Sequence, residues 1–134
     1  AYDPCEDKEF SSKYSVKYCD INELLKCSDI VTLHAPSAED NQPIISEEQL
    51  KIMKPNALLV NTSRGKNINE EFLFEALKNK TIAGACIDVF NDEPYKGNLA
   101  SLDNVILTPH IGGYTSDVRR DLESEAVENL RKFL

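Results

Sequence analysis

Apolar residues fall along this chain in two patterns. Unbroken runs at residues 30–34 (I-V-T-L-H), 57–60 (A-L-L-V), 82–90 (I-A-G-A-C-I-D-V-F) and 105–107 (V-I-L) lack the alternation of a half-exposed strand, and they predict strands buried on both faces of a parallel sheet. Between them the apolar residues return at helical spacing. Ile21, Leu24 and Leu25 follow a capping Asp20, and Leu50, Ile52 and Met53 follow Ser46, which forms a capping box with Gln49. Phe72, Leu73, Ala76 and Leu77 follow Asn69, with Glu70 and Glu71 in the first turn, where the helix dipole favours negative charge. Residues 6–14 read as weakly helical, 16–19 as a short strand, and 37–43 and 91–103 as polar or turn-rich connections. A last helix runs from Thr115 with Val118, Leu122, Ala126, Val127 and Leu130 on one face, and is expected to bury Leu122, Ala126 and Leu130 against the core or a second chain. Strands alternating with helices predict an α/β protein with a doubly wound parallel sheet and right-handed crossovers.

The overall balance of residues narrows the partners. At 134 residues the chain is one domain by length, and its 15 Lys and Arg against 23 Asp and Glu give a net charge of -8. That charge repels phosphate backbones and anionic lipid, so neither nucleic acid nor a membrane is expected as a partner. No apolar run approaches the roughly 20 residues that span a bilayer, and residues 1–7 have neither a basic nor an apolar leader segment, which predicts a cytoplasmic protein. Cys5, Cys19, Cys27 and Cys86 are scattered, without a C-x-x-C pair or a histidine at ligand spacing, so no metal and no disulfide framework is expected. Asn61-Thr62-Ser63 matches a glycosylation sequon but ends a strand expected to be buried.

Parallel strands bring their carboxyl ends to one edge, where open α/β sheets bind ligands. The run at 57–60 emerges there into Asn61, Thr62 and Ser63, then Arg64, a planar cation suited to gripping a carboxylate, then Gly65, which frees the turn. The next two strands end in Asp88 followed by Glu93, and in His110. An imidazole beside a carboxylate is a candidate proton donor and acceptor near neutral pH, which makes His110 and Glu93 an acid/base pair candidate. Each group also has an ordinary use. Arg64 fits a solvated turn, Asp88 a helix cap or an acceptor for a backbone donor, Glu93-Pro94 a surface turn and His110 a packed loop. Their joint arrival at strand ends favours a site. His34 also lies at a strand end, without a partner in the sequence, and is assigned to the pocket wall.

The motifs N-T-S-R-G (61–65), D-V-F-N-D-E-P (88–94) and T-P-H-I-G-G (108–113), preceded by D-I-V-T-L-H-A-P (29–36), resemble the D-isomer-specific 2-hydroxyacid dehydrogenases along essentially the whole chain. The resemblance implies a Rossmann-type NAD-binding domain and the interconversion of a D-2-hydroxy acid with its 2-oxoacid. It implies that Arg64 receives the substrate carboxylate, that His110 is the general acid/base paired with Glu93, and that Asp88 contacts the nicotinamide carboxamide. It places Asp3 on the adenosine ribose, where an acidic residue suits NAD over NADP, and puts His34, Pro36, Thr62, Ser63, Arg64, His110, Gly112 and Gly113 along the cofactor cleft. A homodimer is the implied assembly.

Asn56 stands where the family usually has Gly, Asn91 replaces a commoner Glu, and residues 36–40 drift from the usual leucine- and threonine-containing loop; none of these touches the catalytic set. The sequence contains no G-x-G-x-x-G turn and no substrate domain. The chain therefore reads as a partial Rossmann sheet, residues 1–134 forming one truncated domain without its first strand and phosphate cradle, with residues before about 28 expected to be displaced, disordered or paired with another copy. An NAD-sensing or corepressor-like regulator on the same fold, or an inactive remnant, are the competing readings. Arg64, Glu93 and His110 together favour the enzyme, since a sensor has no need of the acid/base pair.

Overall fold

A computed structural model of the chain describes residues 1–38 and 42–133. Four parallel strands, β1 (Ile30–Leu33), β2 (Leu58–Asn61), β3 (Gly84–Ile87) and β4 (Val105–Leu107), lie side by side in sequence order. The register aligns Val31 with Leu59, Ala85 and Val105, and Leu33 with Asn61, Ile87 and Leu107. These two rows share one face of the sheet, because side chains two residues apart point the same way. Helices α2 (Ile21–Cys27), α3 (Glu47–Ile52) and α4 (Glu70–Lys78) add to the core, with Leu25, Leu50, Leu73 and Leu77 almost wholly buried.

The caps expected from the sequence set the helix starts. The Asp20 carboxylate accepts from Asn22 N–H, Ser46 and Gln49 form the capping box, and Asn69 Oδ1 accepts from the N–H groups of Glu71 and Phe72. Helix α1 (Lys8–Tyr14) is capped by Asp7 and buries no residue. The loop expected over 37–43 lies partly outside the described residues.

Four expectations need correction. The strands are not buried on both faces: the face carrying Ile30, Leu58, Thr32, Val60 and Ile106 is open, with Ile30 62% and Ile106 64% exposed. Unbroken apolar runs reveal hydrophobic surface without saying what covers it. Residues 16–19 form no named strand; the Ala1 amino group donates to the Lys17 carbonyl and Cys19 N–H donates to Ala1 O, so within the described chain this segment pairs with the first residues. The run 82–90 is a strand only over β3, because Asp88 to Phe90 turn away to make side-chain and loop contacts. Helix α5 (Ser116–Phe133) forms as expected but buries none of its residues against the core of its own chain; Leu122 and Leu130 are 59% and 61% exposed. Its stripe identifies the face ready to pack, and no described element packs over that face.

Candidate active site

The carboxyl ends of β2, β3 and β4 carry the groups picked out by the sequence. Beyond β4, His110 Nδ1 lies 2.9 Å from Glu93 Oε2 and 3.1 Å from Oε1, so the imidazole and the carboxylate meet directly. Phe90 N–H also donates to Glu93 Oε1, at 3.1 Å, which fixes the carboxylate against its own loop. The bond to His110 and then that from Phe90 hold the Glu93 carboxyl below its ordinary range, so it remains an ionised acceptor at neutral pH. With Nδ1 engaged on Glu93, the opposite ring nitrogen is left to face a reactant.

His110 has a φ of 53°, a left-handed conformation unusual for a residue other than glycine. Asp88 explains how it is held. Its Oδ1 accepts from Thr108 Oγ1 at 2.5 Å and from Ile111 N–H at 3.0 Å, while Oδ2 accepts from Gly112 N–H at 3.0 Å. The carboxylate therefore grips residues on both sides of His110. Burial works to raise the Asp88 pKa, but these bonds and the nearby imidazole together hold it below the ordinary aspartate value. From the sequence Asp88 is a contact for the cofactor or, in its ordinary use, a cap or acceptor for a backbone donor; the structure shows it accepting backbone donors, and which turn they brace is not legible in the sequence.

Beyond β2, Asn61 organises the turn that carries Arg64. Asn61 Oδ1 accepts from Ser63 N–H and Oγ–H, and Nδ2 donates to the Arg64 carbonyl at 2.9 Å. The Arg64 guanidinium is exposed, with Nη1 donating to the Ser63 carbonyl. Gly65 has no positive φ, so its value lies in space and not in the conformational freedom expected of it. A Cβ at Gly65 would overlap the Phe90 carbonyl and lie 2.5 Å from Asn91 N. The Arg64 turn thus rests against the start of the loop that carries Glu93, and the three groups share one edge of the sheet. A further cation, Arg119, unforeseen from the strand ends, lines a cavity of about 280 Å³ with His110, Gly113, Tyr114 and Leu122. Its guanidinium lies over the Tyr114 ring.

The remaining candidates are more dispersed. His34 has a partner after all, Thr32 Oγ1 at 3.0 Å from its Nε2, and stands exposed with Pro36 beyond β1. Thr62 is exposed and Ser63 half-buried beyond β2. The Cβ position of Gly113 faces open space, whereas a Cβ on Gly112 would come within 3.1 Å of Asp88 Oδ2. Asp3 sits apart, its carboxylate accepting from Cys5 N–H in the exposed first residues. Sequence reasoning missed Asn67, a fully buried polar residue in the short 3₁₀ turn Gly65–Asn67; a single Asn two residues past a glycine gives no periodic signal.

A four-stranded parallel sheet with its polar groups at the carboxyl edge is an open α/β sheet of the kind that binds ligands beyond its strand ends. Residues 1–112 match the family described as "D-isomer specific 2-hydroxyacid dehydrogenase, NAD binding domain", and the chain belongs to this family. It is 41% identical over 133 residues to glyoxylate reductase of Thermococcus litoralis, covering 98% of this chain and 40% of that protein. It is 44% identical over 135 residues to D-3-phosphoglycerate dehydrogenase of Methanocaldococcus jannaschii, covering 99% of this chain and 26% of that one. The crystal structure of D-lactate dehydrogenase from Aquifex aeolicus complexed with NAD and lactic acid superposes with a TM-score of 0.84 at 32% identity, covering 98% of this chain and 44% of the other. The chain thus spans well under half the length of these relatives.

Proposed function

We propose that the protein carrying this domain is an NAD-dependent oxidoreductase that interconverts a D-2-hydroxy acid and its 2-oxoacid. The observation that carries this reading is the His110–Glu93 pair, held on a strained turn at the edge of a nucleotide-binding sheet. In the direction of reduction, the His110 nitrogen opposite Glu93 gives its proton to the substrate carbonyl oxygen, while Glu93 holds the ring through Nδ1. In the reverse direction the same nitrogen takes the hydroxyl proton. Arg64 receives the substrate carboxylate, for which its planar fork offers two parallel hydrogen bonds.

The residues present fit the cofactor by their chemistry: exposed small polar groups and Pro36 beyond β1 and β2, the Asp88 carboxylate beyond β3, and the unobstructed Gly113 beyond β4. When bound, the nicotinamide supplies or accepts the hydride. Asp3 takes the adenosine ribose in this reading, and its negative charge disfavours the additional phosphate of NADP.

The test is the full-length protein with NADH and a series of 2-oxoacids from glyoxylate upward, followed by nicotinamide absorbance. Turnover with production of the D-hydroxy acid is expected. Tight NADH binding without turnover of any 2-oxoacid would replace this reading with that of an NAD sensor.

A further inference from the structure

Asn67 is the one polar residue of the site with no exposed surface at all. Its Nδ2 donates to the Ala35 carbonyl at 2.7 Å and to Ser63 Oγ at 3.1 Å, so a single amide joins the exit of β1 to the exit of β2. Its backbone does the same work from the other side. Asn67 N–H donates to the Arg64 carbonyl, and Asn67 O accepts from Ile45 N–H. The Arg64 carbonyl therefore has two donors, Asn67 N–H and Asn61 Nδ2, while Ser63 Oγ passes the connection from Asn67 on to Asn61. Asn67 Oδ1, by contrast, has no partner among the described residues although it is buried. A buried polar group left half-satisfied calls for an explanation, since an apolar side chain of the same size would avoid the desolvation. The unpartnered oxygen belongs to the same amide whose nitrogen ties the β1 exit to the β2 exit.

We propose that Asn67 is a positioning residue that locks the Arg64 turn to the β1 exit, and so fixes where the substrate carboxylate is received relative to the cofactor side of the cleft. This rests on the proposed function for the role of Arg64, but not for the link itself. Asn67 touches neither reactant. It acts through Ser63 and Ala35, so its removal loosens Arg64 without affecting the proton chemistry of His110.

The test compares wild type with Asn67→Leu and Asn67→Asp in the full-length protein. Leucine keeps the volume and removes both the donor and the orphaned oxygen; aspartate keeps the shape but turns an acceptor toward the Ala35 carbonyl. Both variants are expected to raise KM for the 2-oxoacid about tenfold while kcat and the Kd for NADH change less than about threefold, the pattern of lost uniform binding. The leucine variant is expected to melt no lower than wild type, because Ala35 is only half-buried and water can satisfy its carbonyl. Amide exchange should quicken together at Ala35 and Ser37 on one loop and at Ser63, Arg64 and Gly65 on the other. Unchanged KM with unchanged exchange overturns the proposal, as does a fall in kcat with KM constant. A lowered melting temperature with proportionate loss of NADH binding also overturns it, because that is the result of a merely structural residue. If wild type reduces no 2-oxoacid, the proposed function fails, and the exchange of the two loops alone decides whether Asn67 links them.

Discussion

His110 occupies a backbone region that costs a residue with a side chain on the order of 1 kcal/mol, and Asp88 bonds on both sides of it hold it there. Replacing His110 by Ala in the full-length protein is expected to lower kcat by about 10²–10⁴ with NADH still bound, since the ring serves proton transfer; near wild-type kcat would remove it from the chemistry. Arg64→Ala is expected to lower kcat/KM for a 2-oxoacid at least tenfold, about 1.4 kcal/mol, with Lys only partly restoring it. Arg119 stands near His110, but its guanidinium is over the Tyr114 ring, so it is a poor substitute. Smaller losses in Arg64→Ala would transfer the carboxylate to Arg119. Asp88 adds a pH dependence with a definite sign. Its folded pKa lies below the ordinary value, so its stabilisation is complete above the usual aspartate range near 4 and is lost as pH falls through the lower folded value. Amide protection of Ile111 and Gly112 should therefore hold from neutral pH to about 4 and fall below it. Asp88→Asn, which keeps one acceptor and turns the other into a donor, should lose the protection of one of the two amides at all pH and keep that of the other without a step at about 4; protection indifferent to both would show that the carboxylate does not hold the turn.

Among the elements, the turn after β2 is held closely by its neighbour. Gly65 lies against the Phe90 carbonyl, so Gly65→Ala forces apart the Arg64 turn and the Glu93 loop, and overpacking of this kind costs about 1–3 kcal/mol. A lowered melting temperature together with a raised KM for the 2-oxoacid is expected in the full-length protein; an unaffected KM would mean that the two loops move independently. The difference between legible and hidden features follows from range. Capping by Asp20, Ser46 and Asn69, and the positions of the four strands, arise from neighbours a few residues away and could be read directly. The His110–Glu93 contact was legible because parallel strands force their ends together. Asn67 to Ala35 and Asp88 to Gly112 were not, since each joins a side chain to a distant backbone group and leaves no pattern in either segment. The stripe of α5 was read correctly, but burial of that stripe against the core of the same chain was not, because periodicity gives the face of a helix and not its partner.

At the scale of the whole molecule, apolar surfaces remain uncovered among the described residues. One is the sheet face with Ile30, Leu58 and Ile106; another is the α5 stripe with Val118, Leu122, Val127 and Leu130. Burying a side chain of this size is worth about 1.5–3 kcal/mol, so either surface gains more from contact with protein than from water. Edge strand β1 adds unpaired backbone donors and acceptors beside the open face. The net charge of -8 opposes association, but charges at this density are screened within about 8 Å at physiological salt. Apolar burial should win there. The 134-residue chain alone is therefore expected to self-associate, its sedimentation mass rising with concentration and with added salt. Ile106→Lys and Leu122→Lys separate the two surfaces: the first should restore the monomer if the sheet face carries the contact, the second if α5 does. Association abolished by Leu122→Lys alone would place α5 at the subunit contact of the homodimer expected for the family. A wild-type chain that sediments as a monomer at all concentrations in high salt would show that both surfaces are stably solvated, and would remove the basis for that dimer in this domain.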